Sequence, residues 1–165
     1  MTQLTPQSPR VAIVAATSPA DVAAARALIL DYRASLGVDL VYQHFDDEIA
    51  SLATMYGPPH GALYLATLDD APAGCVGVRA FTPERGCCEM KRLYVAPFAR
   101  GHGLGRRLAV QSMTAARAFG YTRMRLDTLP AMQDAQALYV ALGFRDIPPY
   151  RHSPVPGTRF LEADL

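Results

Sequence analysis

The segment from Arg100 to Arg107, RGHGLGRR, has the residue types and spacing of an anion-binding site. Its three alternating glycines let the backbone approach a ligand closely and adopt positive φ. The segment opens a helix-like run over residues 104–119, and amides at a helix start point at a bound anion. We therefore predict a phosphate or pyrophosphate seat that needs no metal. Its contacts would be the backbone amides of His102, Gly103, Gly105 and Arg106 and the side chains of Arg100 and Arg106.

Two common phosphate motifs do not fit this segment. The dinucleotide fingerprint G-x-G-x-x-G fails because its third glycine falls on Arg106 when counted from Gly101, and on Leu108 when counted from Gly103. The Walker motif fails because no Gly-Lys pair is followed by Ser or Thr. A plain strand-to-helix turn is the alternative, although three spaced glycines would only weaken such a turn. The pattern that fits is R-x-x-G-x-G.

That pattern resembles the acyl-CoA pyrophosphate loop of the GNAT superfamily of N-acetyltransferases. Residues 135–144, AQALYVALGF, resemble the A-x-x-L-Y-x-x-L-G-F helix that follows the loop in this family. The resemblance is sharp over residues 86–146 and topological over 10–82. It implies a single-domain α/β acyl-CoA N-acyltransferase (GNAT) fold, with a mixed, mostly antiparallel sheet and helices on both faces. In that fold two parallel strands splay apart around the cofactor, and here these would be residues 88–95 and 122–129.

The same resemblance implies acetyl-CoA as the acyl donor. The backbone of Leu93, Tyr94 and Val95 would bind the pantetheine in the manner of an added strand. The pyrophosphate would lie against Arg100, Gly101, His102, Gly103, Leu104, Gly105 and Arg106. One position departs from the family pattern, because many members carry Asn where this chain has Met132. That contact is therefore absent here or is supplied by Gln133 or Asp134.

Acetyl transfer requires a neutral amine, and an alkyl amine with a pKa near 10.4 must lose a proton at a cost of roughly 4.6 kcal/mol at pH 7. The resemblance implies that Glu89, on the strand that leads into the glycine loop, is the base, because several family members have a carboxylate at the matching position that acts directly or through water. An apolar strand would raise the pKa of this carboxyl toward neutrality, where it could accept the proton. The alternative is a structural carboxylate paired with Lys91 or Arg92.

Tyr139 is the predicted acid that protonates the departing thiolate. It matches the family tyrosine of the late helix, which the resemblance places near the cofactor sulfur. The alternative is a core aromatic residue that packs beside Leu142. In the proline-rich segment 147–157, Tyr150, Arg151 and His152 either border the acceptor pocket or are exposed without a ligand.

The composition predicts one globular domain, since half of the 165 residues are apolar and 19% are charged. Residues 1–10 are predicted to be a flexible N-terminal tail, and residues 11–165 the N-acetyltransferase domain. No apolar run reaches the ~20 residues that span a bilayer, and the tail lacks a signal-peptide pattern. Cys75, Cys87 and Cys88 contain no C-x-x-C and cannot all pair, which predicts a reduced, cytoplasmic chain.

The net charge of +1 predicts no nucleic-acid partner. Residues 21–70 hold eight acids and two arginines, whereas residues 79–125 hold ten Lys or Arg and two Glu. This division indicates either two ordinary solvated faces, or an anionic cofactor on the basic half and a cationic acceptor near the acidic half. No metal site is predicted, because the four histidines lack ligand spacing.

The hydrophobic periodicity predicts strands that alternate with helices. Strands are expected at 11–15, 62–68, 75–81, 88–95, 124–128 and 158–163. Helices are expected at 19–36, 45–55, 104–119 and 132–142. The first helix has Ser18 as its cap and Pro19 at its first position, and Gly37 ends it.

The leading hypothesis is an acetyl-CoA-dependent N-acetyltransferase that acts on a small primary amine by direct attack in a ternary complex. The alternative is an acyl-CoA-binding sensor or interaction module without turnover. A nucleotide-binding regulator is disfavoured, because both phosphate fingerprints fail. A homodimer is compatible with the resemblance.

Overall fold

The computed structural model describes residues 8–165, except for the side chain of Tyr42. Its strands are β1 (Val11–Ala15), β2 (Ala62–Leu68), β3 (Ala71–Ala80), β4 (Cys87–Val95), β5 (Arg123–Thr128), β6 (Arg145–Asp146) and β7 (Arg159–Asp164). Its helices are α1 (Pro19–Leu36), α2 (Phe45–Ala50), α3 (Leu52–Met55), α4 (Leu104–Ala118) and α5 (Gln133–Ala141).

The strands form one sheet in the order β1-β2-β3-β4-β5-β7-β6. Neighbouring strands are antiparallel except for β4 and β5, which are parallel. Two hydrophobic clusters cover the two faces. One contains Leu108 of α4 with Met124 of the sheet, and the other contains Ile29 and Phe45 of α1 and α2 with Leu65. The predicted fold class is therefore confirmed.

Local sequence signals set the ends of α1. The Ser18 side chain accepts a hydrogen bond from the Asp21 amide at 3.1 Å, and Pro19 occupies the first helical position. Gly37 follows the helix with φ of +64°, a left-handed conformation that glycine adopts without steric cost. The predicted start and end of this helix are confirmed.

A two-residue turn, Asp69-Asp70, joins β2 and β3, so the connection is shorter than the predicted strand bounds of 62–68 and 75–81 imply. Asp69 and Asp70 both have positive φ, as the two central residues of a type I′ turn do. The predicted start of β3 at Cys75 is wrong, since the strand begins at Ala71. Pro72 can lie within the strand because a bulge shifts the register beside it.

The predicted helix over residues 45–55 is interrupted at Ser51. This residue has φ of −127°, which divides the segment into α2 and α3. Its hydroxyl donates to the Asp47 carbonyl at 2.6 Å, the kind of local side-chain bond that competes with helical pairing. The sequence also did not predict the two 3₁₀ turns, Val41–Gln43 and Pro97–Ala99, or the short strand β6. The other predicted elements lie within one residue of their observed bounds.

The predicted tail falls mostly on residues 1–7, which lie outside the described residues. At its end, the Arg10 amide donates to the Asp69 carboxylate at 2.8 Å, and the Asp69 amide donates to the Arg10 carbonyl at 2.8 Å. Arg10 is therefore bound to the β2–β3 turn.

Candidate active site

The sheet opens between β4 and β5. Their parallel pairing ends where Glu89 lies opposite Arg125, and residues 90–95 of β4 have no partner strand on that side. The strands splay here, as predicted, and a cleft lies between them. Glu89 lies next to the lining residue Met90, where the two strands join, and we call this position the closed end of the cleft. Polar side chains that line the cleft are Tyr32, Gln43, Lys91, Arg92, Asp127, Thr128 and Tyr139.

A bulge in β4 places two consecutive cations on the same side of the sheet. Opposite β3, Lys91 pairs with Gly77 and Tyr94 pairs with Cys75, so that β4 has one extra residue. Arg92 occupies the bulge with φ of +58°. Lys91 Nζ and Arg92 Nη1 both donate to the side-chain oxygen of Gln43, at 3.3 and 2.9 Å. The bulge therefore breaks the alternation that would direct these neighbours to opposite faces.

Arg92 forms a buried, two-point ion pair with Glu48 of α2. Arg92 Nε and Nη2 donate to the two carboxylate oxygens at 2.9 and 2.7 Å, and the Tyr56 hydroxyl donates to the same carboxylate at 2.6 Å. Burial alone would raise the pKa of Glu48, but the hydrogen bonds and charge of Arg92 lower it. Burial would likewise lower the pKa of Arg92, and Glu48 raises it. Both groups are therefore ionised.

Lys91 and Asp127 face each other across the cleft. Lys91 Nζ lies 3.5 Å from Asp127 Oδ1, and Gln43 Nε2 donates to the other carboxylate oxygen at 3.0 Å. Burial lowers the pKa of Lys91 to about 8, which Asp127 only partly offsets. Burial would raise the pKa of Asp127, but Lys91 and Arg151 lower it. The cleft thus holds a carboxylate and an amine that loses its proton unusually easily.

Glu89 is buried between two guanidinium groups. Arg151 Nη2 donates to one carboxylate oxygen, and Arg79 Nη2 donates to the other at 3.5 Å. Glu89 therefore does not have the apolar surroundings that we expected for a base. Its ion-pair partners are also not Lys91 or Arg92, the partners expected if Glu89 were a structural carboxylate. A base would accept the proton of the amine on a carboxylate oxygen. Both carboxylate oxygens of Glu89 already accept hydrogen bonds from arginines.

The glycine loop at the start of α4 presents unpaired amides. The first helical bond runs from the Arg107 amide to the Gly103 carbonyl at 3.1 Å. Within residues 8–165 no acceptor is found for the amides of residues 101–106. Gly101 and Gly103 have φ of +82° and +71°, with open space where a Cβ would lie. These glycines are therefore required by the backbone conformation rather than by crowding.

The loop lies beside two other predicted binding elements. A Cβ at Gly105 would lie 3.8 Å from Leu138 of α5 and 3.9 Å from Val95 at the end of β4. Leu93, Tyr94 and Val95 thus lead from the open strand edge directly to the loop. The side chain of Arg100 folds back, and its Nε donates to the Val95 carbonyl at 3.2 Å.

Tyr139 projects from α5 into the cleft. Its ring packs edge-on against Phe144 at a centroid distance of 5.7 Å, and no hydrogen-bond partner for its hydroxyl occurs among the described residues. Burial, aided by Tyr32 and Asp127, raises its pKa, so the hydroxyl keeps its proton. Nearby, the sulfur of Met132 lies 3.8 Å from the hydroxyls of Tyr32 and Thr128.

Sequence reasoning missed most of the polar cleft wall. Gln43, Glu48, Lys91, Arg92 and Asp127 belong to no motif, and only the bulge and the splayed strands bring them together. The sequence contained one indication of this polar wall. Glu89 and Lys91 are charged residues within a strand that is otherwise buried, which is unusual. In the described part of the chain, no group of three or more His, Cys, Asp or Glu could hold a metal ion, and no helix could cross a membrane.

Comparisons with known proteins agree with this geometry. The model of the acetyltransferase (GNAT) family matches residues 25–144. An uncharacterised N-acetyltransferase of Schizosaccharomyces pombe is 38% identical over 156 residues, which covers 94% of this chain and 95% of the relative. An uncharacterised N-acetyltransferase of Escherichia coli is 31% identical, with coverage of 89% and 88%. The solved acetyltransferase of Streptococcus agalactiae has the same fold, with a TM-score of 0.75, 23% identity, and coverage of 94% and 98%.

Proposed function

Because this chain belongs to the acetyltransferase (GNAT) family and is an N-acetyltransferase, we propose that it transfers an acetyl group from acetyl-CoA to a primary amine of a small acceptor. The amine attacks the thioester carbonyl directly in a ternary complex. The C–N bond forms and the C–S bond breaks, while the amine loses one proton and the leaving thiolate gains one. We further propose a cytoplasmic location, which three free, buried cysteines support.

The observation that carries this proposal is the set of unpaired amides over residues 101–106. Buried or ordered amides normally have acceptors, so a row of unpaired donors at a helix start suits a multiply charged anion. Isothermal titration with acetyl-CoA tests binding, and an amine screen with thiol detection tests turnover. Absence of binding at millimolar acetyl-CoA would refute the proposal. Binding without thiol release from any amine would favour a sensor instead.

Replacement of Gly103 with alanine tests the loop directly. At φ of +71° an alanine is strained by about 1–2 kcal/mol, and relief of that strain would rotate the neighbouring amides away from the anion. We expect acetyl-CoA to bind about tenfold more weakly, the loss of about one charge-assisted hydrogen bond. Titration calorimetry gives the dissociation constant, and urea unfolding gives the accompanying loss of stability.

Gly120→Ala is the matched control for that strain. Gly120 follows the opposite end of α4, has φ of +86°, and is also open where a Cβ would lie. It should lose a similar amount of stability and bind acetyl-CoA like the unchanged protein. Equal affinities for the two variants would show that the Gly103 loop does not bind the cofactor.

We propose Glu89 as the base and Tyr139 as the acid of the transfer. Glu89→Gln should lower kcat about a hundredfold, the low end of what a positioned base contributes, and should flatten the rise of rate with pH. The pH–rate profile with saturating acetyl-CoA measures both effects. Glu84→Gln is the control, since Glu84 is also held by two arginines, Arg123 and Arg125, but its side chain is 35% exposed and belongs to the connection before β4. An unchanged rate in Glu89→Gln would remove Glu89 from this role.

A further inference from the structure

The closed end of the cleft carries more positive than negative charge. Glu89 is the one acid within 4 Å of Arg79 and of Arg151 in the described part of the chain. Arg79 Nη1 also lies 3.1 Å from the neutral sulfur of Met55. The side chains of Arg79 and Arg151 are 20% and 22% exposed, whereas that of Glu89 is 4% exposed. Two partly exposed arginine side chains thus surround one buried carboxylate.

The other charges of the cleft do not offset this surplus. Lys91 is matched by Asp127, and Arg92 is matched by Glu48. Glu48 comes from the acidic first half of the chain, which the sequence had suggested as a place for a cationic acceptor. Here it is already neutralised by Arg92. The charged groups in and next to the cleft, four cations and three carboxylates, therefore total one net positive charge, which is carried by Arg79 and Arg151 around Glu89.

A hydroxyl next to Arg151 has unused hydrogen-bonding capacity. The Tyr150 hydroxyl is buried and has no hydrogen-bond partner among residues 8–165, which is rare for a buried polar group. Its ring packs between Phe81 and Phe160, with the Arg151 guanidinium over its face. Burial raises the pKa of this hydroxyl, and the charges of Asp127 and Glu89 raise it further, so that it keeps its proton. The loop over residues 147–157 thus brings a guanidinium and a free O–H donor to the closed end.

We infer that the acceptor is an amine that also carries a carboxylate, such as an amino acid, and that Arg79 and Arg151 bind this carboxylate. The inference rests on the proposed function and specifies its acceptor. Guanidinium groups recognise carboxylates through paired, charge-assisted hydrogen bonds, and the Tyr150 hydroxyl can add a further donor. An amine without a carboxylate would leave the extra positive charge uncompensated.

Such an acceptor also explains how Glu89 becomes available as a base. In the empty protein both of its oxygens accept hydrogen bonds from the arginines. A bound carboxylate takes over part of this hydrogen bonding, and the ammonium group of an amino acid lies only two bonds from its carboxylate carbon. The ammonium therefore comes next to Glu89, which takes its proton before the neutral nitrogen attacks the thioester.

Matched acceptors test this inference on the complete protein. Glycine, leucine and lysine are each compared with their α-carboxamides and with cadaverine, by initial rates of thiol release at saturating acetyl-CoA. We expect kcat/KM to favour the acids by about tenfold or more, although the amides have the less basic and more readily neutral amines. Equal or faster reaction of the amides or cadaverine would overturn the inference and leave the proposed function standing. Absence of thiol release from every acceptor would overturn both.

Arginine variants locate the carboxylate site. Arg151→Gln and Arg79→Gln should each raise KM for the preferred acid about tenfold to a hundredfold, reduce the preference for acid over amide, and leave KM for acetyl-CoA unchanged. Arg79 lies on β3, whereas Arg151 lies in the loop over residues 147–157. If one of the two variants fails to fold, the other still tests the site. Arg145→Gln, an exposed arginine paired with Asp164, is the control. If both variants keep the full preference for the acid, the assignment is wrong.

Discussion

Replacement of Glu48 with alanine is expected to lower the free energy of unfolding by about 3–5 kcal/mol, because it leaves the Arg92 guanidinium buried without its counter-ion. The pair is almost inaccessible to solvent, with 1% of the Glu48 side chain and 4% of the Arg92 side chain exposed. The Tyr56 hydroxyl loses its acceptor as well. For a chain of this length the melting temperature should fall by about 10–15 °C. Urea unfolding and calorimetry measure the two quantities.

Two further variants test whether the lost stability of Glu48→Ala comes from the unpaired buried charge of Arg92. Asp46→Ala, in the same short helix, removes an exposed carboxylate paired with Arg33 and should cost at most about 1 kcal/mol. The double replacement Glu48→Met with Arg92→Met should recover much of the lost stability, because no unpaired ion remains. A Glu48→Ala protein as stable as Asp46→Ala would show that the pair contributes nothing.

The stabilisation by the ion pair of Glu48 and Arg92 should decrease at acidic pH. Burial alone would raise the pKa of Glu48, but the hydrogen bonds and charge of Arg92 lower this pKa in the folded protein below its ordinary value of 4.5. The stabilisation by a carboxylate with a depressed pKa is complete above its unfolded pKa and is lost as pH falls through its folded pKa. The difference in unfolding free energy between the unchanged protein and Glu48→Ala should therefore be constant near neutrality and shrink below about pH 4.5.

The sequence predicted those elements whose causes are local. Ser18, Pro19 and Gly37 mark the ends of α1 through bonds and backbone angles within a few residues. The glycine loop was predicted for the same reason, since positive φ at Gly101 and Gly103 is a property of the residue type. The family resemblance then placed this loop beside the splayed strands.

The cleft wall could not be predicted because its causes are not local. The extra residue at Arg92 becomes a bulge only against the register of β3, and nothing in the segment KRLYV reveals it. Glu48 and Arg92 are separated by 44 positions, and Glu89 and Arg151 by 62. Such pairs follow from strand order and helix packing. They changed the interpretation of Glu89 from a carboxyl in an apolar strand to a carboxylate shared by two cations.

Tyr139→Phe is expected to lower kcat by about a hundredfold to a thousandfold, the usual contribution of a positioned acid. The ring keeps its packing on Phe144, and the hydroxyl has no hydrogen-bond partner in the described chain, so stability should hardly change. Stopped assays of thiol release at saturating acetyl-CoA and acceptor measure kcat directly. Tyr121→Phe is the control, because it removes a hydroxyl that is bonded to the His60 carbonyl and lies outside the cleft lining.

If Tyr139 only packs against its neighbours, the Tyr139→Phe variant should show the same signs of proton transfer as the unchanged enzyme. Burial raises the pKa of this tyrosine above its ordinary value of 10, so its hydroxyl stays protonated throughout the neutral and mildly alkaline range. The unchanged enzyme should therefore show no loss of rate from Tyr139 ionisation below pH 10, and a solvent deuterium effect on kcat that disappears in Tyr139→Phe. If the variant keeps both its rate and its isotope effect, the thiolate departs without help from Tyr139. The residue would then be a packing partner of Phe144 at the cleft wall.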